Sequence, residues 1–328
     1  MQAIKFERNK YLSDSVKKLL LQNRIFTIVD FLREDIQKLS AITKLTLQQV
    51  TELRSNFLSK YAAPLQNGYD LLQRNKCKKK VLKTFIESID DILTGGIPIG
   101  YITEVCGLAD SGKTQLCLQI AINCAKNNFN VLYVDTKGDF SAVRIQKILD
   151  LTQHTHKDMA QIMYRIRIKH IWSLEELVNF LHRIKEKKEE LENLTLMIVD
   201  SLPCLLLPFL GDDNKIGIHL LNKFVNISRL LAKEFEIAVV CVNIQTRWVD
   251  IDTVDEDDDV SSHEQVYIET KNRCLGKYWH HIPAVLLLLE KFSSETNEVG
   301  NHIKIVLARL FDPITKECVL VLDNAGIK

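Results

Sequence analysis

The pattern of apolar and polar positions divides the chain into two parts, the first of which is helical. Up to residue 61, apolar side chains recur at helical spacing with short breaks between the runs. This spacing predicts a small all-α N-terminal domain, residues 1–61, with Ser13 and Thr46 as N-caps. The predicted helices are 14–22, 28–33, 36–39 and 47–61. Alone, such a bundle indicates either a binding module or a spacer.

Turn-forming residues and clustered charge mark residues 62–83. Pro64, Asn67 and Gly68 disfavour regular structure, and a basic run follows at Lys76 and 78–80. We therefore interpret 62–83 as a linker. Its lysines either face solvent or contact nucleic-acid phosphates, and the sequence leaves both readings open.

From residue 84 to 328 strand-like and helical patterns alternate. The first five strand-like runs are nearly continuous stretches of apolar residues, as expected for strands covered on both faces. Alternation of this kind predicts an α/β fold with a largely parallel central sheet, and the short connections near the end predict an antiparallel edge. The predicted strands are 102–106, 131–135, 165–170, 196–200, 237–243, 284–290, 303–309 and 318–322. The predicted helices are 115–127, 142–151, 174–191 and 219–234.

Composition narrows the class of protein further. With 46% hydrophobic and 26% charged residues, the chain can bury a sizeable core, and a net charge of +1 gives no overall attraction to nucleic acid or membrane. No apolar run approaches the roughly 18 residues that cross a bilayer, and the first residues lack the apolar stretch of a signal peptide. The eight cysteines are scattered without a C-x-x-C pair, which favours reduced thiols. We expect a soluble intracellular protein that does not contact membranes.

The segment 102–118, ITEVCGLADSGKTQLCL, carries the strongest chemical signal. It matches the phosphate-loop pattern G-x-x-x-x-G-K-[ST] between a predicted strand and a predicted helix. Glycines let backbone N–H groups turn toward phosphate oxygens, Lys113 is expected to reach the β and γ phosphates, and the Thr114 hydroxyl to hold Mg²⁺. The predicted nucleotide-binding residues of this loop are Gly107, Leu108, Ala109, Asp110, Ser111, Gly112, Lys113 and Thr114.

A second acidic group is expected at the end of a neighbouring strand, where it completes the metal site. The run 196–200, LMIVD, ends with Asp200 after four apolar residues. We therefore predict Asp200 and Thr114 as the metal-site residues.

Several further motifs surround the phosphate loop. They are Gly95, Gly96, Ile97, Gly100, Thr103 and Glu104; Gln115 after the phosphate loop; 133–136, YVDT; Asn243; Leu275, Gly276 and Trp279; and 323–327, DNAGI. Together they resemble the RecA-type ATPase core of eukaryotic recombinases. The resemblance covers residues 84–328, and the N-terminal bundle is similar to the small domain of these proteins. Within the family, the segments 67–71 and 243–247 are most similar to the D-type branch of the recombinase paralogues.

The resemblance implies ATP and Mg²⁺ as cofactors and a function in the nucleus. The implied function is that of an ATP-binding subunit that joins other recombinase paralogues in a hetero-oligomer and assists homologous recombination and double-strand break repair. The alternative is an independent DNA-stimulated ATPase that forms its own filament. A phosphoryl-transfer kinase is a third reading, for which we find no acceptor pocket. Arg144 matches a position near the nucleotide base in relatives, although a plain surface arginine on a helix is equally compatible.

Two positions depart from the resembled pattern at the hydrolytic centre. The family has Asp-Thr-Glu-Gly after the second strand, whereas this chain has Lys137 in place of the water-activating glutamate. A protonated lysine cannot act as a base, and Asp139 is a weak substitute because its reach is unsupported. Ile244 occupies the position of a γ-phosphate-sensing glutamine, and Gln245 is expected to point the other way. We therefore assign no catalytic residue and expect slow or partner-dependent hydrolysis.

The two segments that contact DNA in the resembled family also differ. The second, between 246 and 276, contains a block of aspartate and glutamate, which repels phosphates. The first, 210–218, offers only Lys215. We expect weak or shared single-stranded DNA contact, resting on Lys76 to Lys80, Lys271, Arg273 and Lys277. The acidic residues are Asp250, Asp252, Asp255, Glu256, Asp257, Asp258 and Asp259.

Overall fold

The computed structural model of the chain describes residues 4–62, 65, 67–77, 81–189, 191, 193–209, 214–251, 267–292, 301–309 and 312–327. It divides into two compact units, Met1–Cys77 and Lys78–Lys328. The stretch 62–83, interpreted as a linker, contains the helix Gly68–Cys77. The division of the chain at 61 and 83 remains a prediction.

The first unit is helical, and its helices begin where the sequence places their caps. The Ser13 hydroxyl accepts from the Val16 N–H, and Thr46 forms a capping box with Gln49, so both predicted N-caps are confirmed. The third helix extends past its predicted end at 39, because the left-handed residue that stops it is Lys44. The helices are α1 Asp14–Gln22, α2 Ile28–Arg33, α3 Ile36–Thr43, α4 Leu47–Tyr61 and α5 Gly68–Cys77.

The second unit alternates strands and helices as the sequence pattern predicts. Its first elements, through the middle of the sheet, are β1 Val81–Leu82, α6 Glu87–Ile92, β2 Ile97–Pro98, β3 Ile102–Gly107, α7 Lys113–Lys126, β4 Asn130–Asp135, α8 Ala142–Leu151, α9 His156–Arg165, β5 Ile166–His170, α10 Leu174–Lys185 and β6 Leu194–Asp200. The remaining elements are α11 Leu202–Leu206, α12 Asn214–Glu234, β7 Ala238–Val242, β8 Gln245–Ile251, β9 Tyr267–Arg273, α13 Gly276–Trp279, β10 Val285–Phe292, β11 Asn301–Arg309, β12 Asp312–Asp323 and β13 Gly326–Ile327.

Nine of these strands form one sheet, in the order β13-β12-β11-β10-β3-β7-β6-β4-β5. From β10 to β5 every neighbouring pair is parallel, and from β10 to β13 every pair is antiparallel, which confirms the predicted antiparallel edge. Strand β5 is the exception to the expectation of two-sided burial. It lies at the edge, where most of its side chains reach solvent.

The sheet is covered on both faces, so that alternate residues of its central strands enter two separate cores. In β4, Val131 and Tyr133 pack with α7, α8 and α9, whereas Leu132 and Val134 pack with α10 and α12. The chain thus has a central, mostly parallel sheet with helices on both faces, preceded by a helical region. In the part of the chain that the structure describes, no helix combines the length and apolarity needed to span a membrane.

Candidate nucleotide site

The predicted phosphate loop connects β3, in the middle of the sheet, to α7. Gly107 leaves no space for a side chain, since a Cβ there would lie 2.5 Å from the Leu289 carbonyl oxygen and from the Ser111 hydroxyl. Gly112 has φ +86° and would place a Cβ against the Ile303 side chain. Both positions require glycine, so the loop closes into a narrow cradle whose backbone can approach a phosphate group.

Helix α7 begins directly at this cradle. Its N-cap is Gly112, and no side chain among the described residues caps it. The N–H groups of its first turn therefore remain available to an anion, and the helix dipole adds partial positive charge at the same point.

Lys113 lies inside the loop. Its ammonium donates to the Gly107 carbonyl at 3.0 Å, the Leu108 carbonyl at 2.5 Å and the Ser111 hydroxyl at 3.2 Å. Burial lowers the pKa of Lys113, because the charged ammonium loses water contacts. The eight predicted residues thus form the turn after β3 and the first two residues of α7, with the buried Lys113 ammonium among them, an arrangement that fits the phosphates of a nucleotide. Their role in binding remains a prediction.

Asp200 ends β6 at the mouth of the loop. Its Oδ2 accepts from the Thr114 hydroxyl at 2.7 Å and from the Tyr133 hydroxyl at 2.8 Å. The carboxylate is 1% exposed, and its Oδ1 receives no hydrogen bond from the described residues. A hydroxyl and a buried carboxylate are oxygen donors that suit Mg²⁺, whose charge would offset that of bound phosphates. The two predicted metal-site residues therefore meet in space.

Lys137 points into the same site from the turn after β4. Its ammonium lies 3.3 Å from Asp200 Oδ1 and 2.9 Å from Asp139 Oδ2. Burial acts to lower the pKa of Lys137, but the Asp200 and Asp139 carboxylates outweigh it and the pKa is raised. An ammonium cannot accept a proton from water. Asp139 is ion-paired and 56% exposed, so the structure offers no support for it as a substitute base.

The turn that carries Lys137 is fixed by Asp135. The Asp135 carboxylate accepts four backbone N–H groups, those of Lys137, Gly138, Asp139 and Phe140, at 2.9–3.3 Å. Burial alone would raise the pKa of Asp135, but these bonds together lower it. This role of Asp135 was not among the predictions from sequence, although an aspartate at a strand end with a glycine three residues later is a turn signal.

Arg144 joins three segments near the start of α7. Its guanidinium donates to the Gln115 side-chain oxygen at 3.0 Å and to the carbonyls of Asp323 and Asn324 at 2.9 and 2.7 Å. The Arg144 side chain thus connects α8, which carries it, to the first turn of α7 and to the turn before β13. Its predicted contact with a nucleotide base remains a prediction.

A buried charge pair anchors the hairpin formed by β8 and β9. Glu104 on β3 is fully buried and accepts from Asn243 Nδ2 at 2.7 Å and from Arg273 Nη1 at 2.9 Å. Arg273 was expected to contribute to DNA contact. Its guanidinium is paired with a buried carboxylate here, and its contact with DNA remains a prediction. Lys271, expected in the same role, is ion-paired with Glu290 at 3.1 Å.

The base of this hairpin also lies beside the phosphate loop. Gln245 lines a cavity of about 310 Å³ together with loop residues Leu108 to Ser111. Gln245 pairs with Arg273 in the strand register, and Lys113, Thr114 and Asp200 are not among the residues that line this cavity. The expectation that Gln245 points away from the γ-phosphate position remains a prediction.

The other predicted DNA-contacting positions are only partly described. Lys215 near the start of α12 and Lys277 in α13 are exposed. Lys76 belongs to α5, and Asp250 belongs to β8. The lysines at 78–80, the segment 210–213 and the acidic residues Asp252, Asp255, Glu256, Asp257, Asp258 and Asp259 lie outside the described residues.

Comparison with known proteins identifies the family. The Rad51 family model matches residues 76–263, more than half of the chain. The chain is 27% identical over 289 residues to the protein named DNA repair protein RAD51 homolog 4 of Bos taurus, covering 86% of this chain and 83% of that protein. It is 26% identical over 314 residues to DNA repair protein RAD51 homolog 2 of Mus musculus, covering 88% and 89%.

A shorter match reaches an archaeal relative. The DNA repair and recombination protein RadB of Methanosphaera stadtmanae is 31% identical over 156 residues, covering 48% of this chain and 64% of that protein. These relatives are DNA repair and recombination proteins by name. The matched region contains β3, the phosphate loop and Asp200, which the geometry above unites in one site, and the chain belongs to the Rad51 family.

Proposed function

We propose that this chain is a nuclear, ATP-binding recombinase paralogue, of the D-type branch, that assists homologous recombination and double-strand break repair as a subunit of a hetero-oligomer of paralogues. One observation carries the proposal. The phosphate cradle and its metal-side carboxylate, Asp200, are both built, while a lysine held as an ammonium stands where a water-activating base is needed. Such a site suits nucleotide binding with slow turnover.

Bound nucleotide in such a subunit acts on assembly. ATP at about 1,000 times its dissociation constant stabilises the binding-competent state by about 4 kcal/mol. Phosphates gathered at the ends of β3 and β6 would order the phosphate loop and the hairpin base beside it, and the ordered surface would dock onto another paralogue. DNA contact is then shared among subunits, because Arg273 and Lys271 are already paired with carboxylates of this chain.

The experiment compares Lys113→Ala with the unchanged full chain. Lys113→Ala removes the cation at the centre of the cradle, so we expect weaker ATP retention and less co-purification of other Rad51-family proteins from nuclear extract containing ATP. Lys126→Ala, at the far end of α7, is the matched control and should behave like the unchanged chain. Cells that depend on the Lys113→Ala chain should become sensitive to double-strand breaks.

Two outcomes would contradict the proposal. Unchanged co-purification by Lys113→Ala would remove the link between nucleotide and assembly. ATP turnover that rises strongly with single-stranded DNA in the isolated chain would favour the independent filament-forming ATPase instead.

A further inference from the structure

Two lysines and one carboxylate share the mouth of the phosphate loop. Lys113 lies within the cradle, while Lys137 reaches the mouth from a different strand and lies 3.3 Å from Asp200. The proposed function uses Lys113 and Asp200 but gives Lys137 no role beyond the absence of a base. The Lys137 side chain is only 25% exposed, so its cation is held at the phosphate site and not in open solvent.

Ion pairs with two carboxylates place the Lys137 ammonium next to the metal-side residues. Asp200 receives the Thr114 hydroxyl on Oδ2 and faces the Lys137 ammonium with Oδ1. A single carboxylate therefore lies between the Lys137 ammonium and the first turn of α7, where phosphates are expected. A phosphate bound there and the Lys137 ammonium would be neighbours.

The approach direction of Lys137 is fixed in advance. Asp135 holds the backbone N–H of Lys137 and those of the next three residues. The following strand end is tied in as well, because Thr136 and Ser201 exchange two hydrogen bonds of 2.7 and 2.8 Å. Preorganisation of this kind reduces the entropy lost when a ligand is bound.

Charge counting shows what the lysine changes. Lys113, Lys137, Asp139 and Asp200 together carry no net charge, whereas glutamate in place of Lys137 would make the sum −2. A nucleoside triphosphate carries about four negative charges, which Mg²⁺ ordinarily offsets in such sites. A second fixed ammonium supplies part of that compensation from the protein itself.

We propose that Lys137 is a phosphate-binding residue. When a nucleoside triphosphate binds, the Lys137 ammonium leaves Asp139 and Asp200 for the terminal phosphate, so that the site retains the nucleotide with only a weak requirement for Mg²⁺. This inference rests on the proposed function, since it concerns the same site. It adds a ligand-binding role for this chain's own lysine and a property, metal-tolerant retention, that an intact phosphate loop alone does not imply.

The test measures dissociation constants for ATP by equilibrium dialysis, with Mg²⁺ and with EDTA. The proteins are the full chain, Lys137→Met, Lys137→Arg and the control Lys126→Met. In EDTA, Lys137→Met should bind ATP on the order of 10- to 100-fold more weakly than the unchanged chain, as expected for loss of a charged hydrogen bond. Mg²⁺ should reduce this difference, and ADP, which lacks the terminal phosphate, should show little of it.

The conservative variant separates a binding role from a structural one. Lys137→Arg retains a cation and should bind ATP in EDTA with an affinity within a few-fold of that of the unchanged chain. If Lys137 served only as the counter-ion of Asp200, Lys137→Met would weaken the binding of ATP and of ADP equally. The unchanged chain itself offers a test that needs no variant. Its affinity for ATP should fall by less than roughly tenfold when EDTA replaces Mg²⁺.

Equal ATP affinities of Lys137→Met and the unchanged chain in EDTA would overturn the role of Lys137 and leave the proposed function intact. A large loss of ATP affinity by the unchanged chain in EDTA would also overturn the role of Lys137 and leave the proposed function intact. Absence of ATP binding by the unchanged chain with Mg²⁺ would overturn both this inference and the proposed nucleotide-dependent assembly.

Discussion

Replacing Arg273 tests whether the buried charge pair anchors the hairpin formed by β8 and β9. Glu104 is fully buried, and it accepts from the Arg273 guanidinium at 2.9 Å and from the Asn243 amide at 2.7 Å. Arg273→Met removes this cationic partner and leaves the buried carboxylate with neutral donors. Removal of one partner of a buried ion pair costs about 3–5 kcal/mol of unfolding free energy. In a domain of this size, that loss lowers the melting temperature by roughly 6–20 °C.

The loss should depend on pH, because Glu104 titrates. Burial raises the pKa of Glu104 above its ordinary value of 4.5, while Asn243 and Arg273 hold it down. A carboxyl group with a raised pKa in the folded state binds protons more tightly when folded, so stability falls as the pH rises through that pKa. Removal of Arg273 raises the pKa further. The loss of unfolding free energy in Arg273→Met should therefore be largest near neutral pH and become smaller as the pH falls toward 4.5, the ordinary pKa of the carboxyl group.

Urea unfolding of the full chain at about pH 8 and about pH 5.5 measures both effects. Lys277→Met, which removes an exposed cation from α13, is the control and should change the unfolding free energy by less than about 0.5 kcal/mol. Adding Glu104→Gln to Arg273→Met should recover part of the loss, because no buried charge then remains without a partner. An unfolding free energy of Arg273→Met within about 0.5 kcal/mol of the unchanged chain, at both pH values, would refute the anchoring role.

Two other substitutions test the loop and its surroundings. Gly112→Ala and Gly276→Ala both place a side chain at positive φ, which costs about 1–2 kcal/mol of unfolding free energy. Of the two new Cβ atoms, only the one at position 112 contacts another side chain. Thermal unfolding should therefore show the larger loss of stability for Gly112→Ala. An equal loss for the two variants would contradict the narrow cradle. Arg144→Ala should speed hydrogen exchange at the Ile327 amide of β13, because two carbonyls of the preceding turn lose their donor. Gln146→Ala, at an exposed position of α8, is the control and should leave that exchange unchanged. Unchanged exchange in Arg144→Ala would show that the turn before β13 is held by other contacts.

The parts of the site that sequence predicted are those that depend on local order along the chain. The phosphate loop is a contiguous motif, and Asp200 follows a run of apolar residues whose strand ends at the same edge of the sheet as β3, so both could be assigned without coordinates. Helix α9 was not predicted, although Met159 and Ile162 are apolar residues at helical spacing that the fold buries. The polar residues on either side of them hid this short pattern.

What the sequence did not predict depends on partners far apart in the chain. Glu104 and Arg273 are separated by 169 residues, and only the fold brings them together. Arg273 therefore looked like a surface cation of a DNA-contacting segment. The prediction that β5 is buried on both faces is wrong for a related reason. Its exposure follows from its place at the edge of the sheet, which its own residues do not specify. Pairing of β8 with β9 likewise decides where Gln245 lies.

In the proposed function, retention of nucleotide and slow hydrolysis would both follow from Lys137. An acidic side chain at position 137 would accept a proton from water but would add a negative charge beside Asp200 and the phosphates. The Lys137 ammonium accepts no proton and adds a positive charge at the same place, so one side chain would both slow hydrolysis and strengthen phosphate binding. A subunit that must keep its nucleotide while it docks needs both effects. We therefore propose that this site is adapted to binding a nucleotide rather than to hydrolysing it.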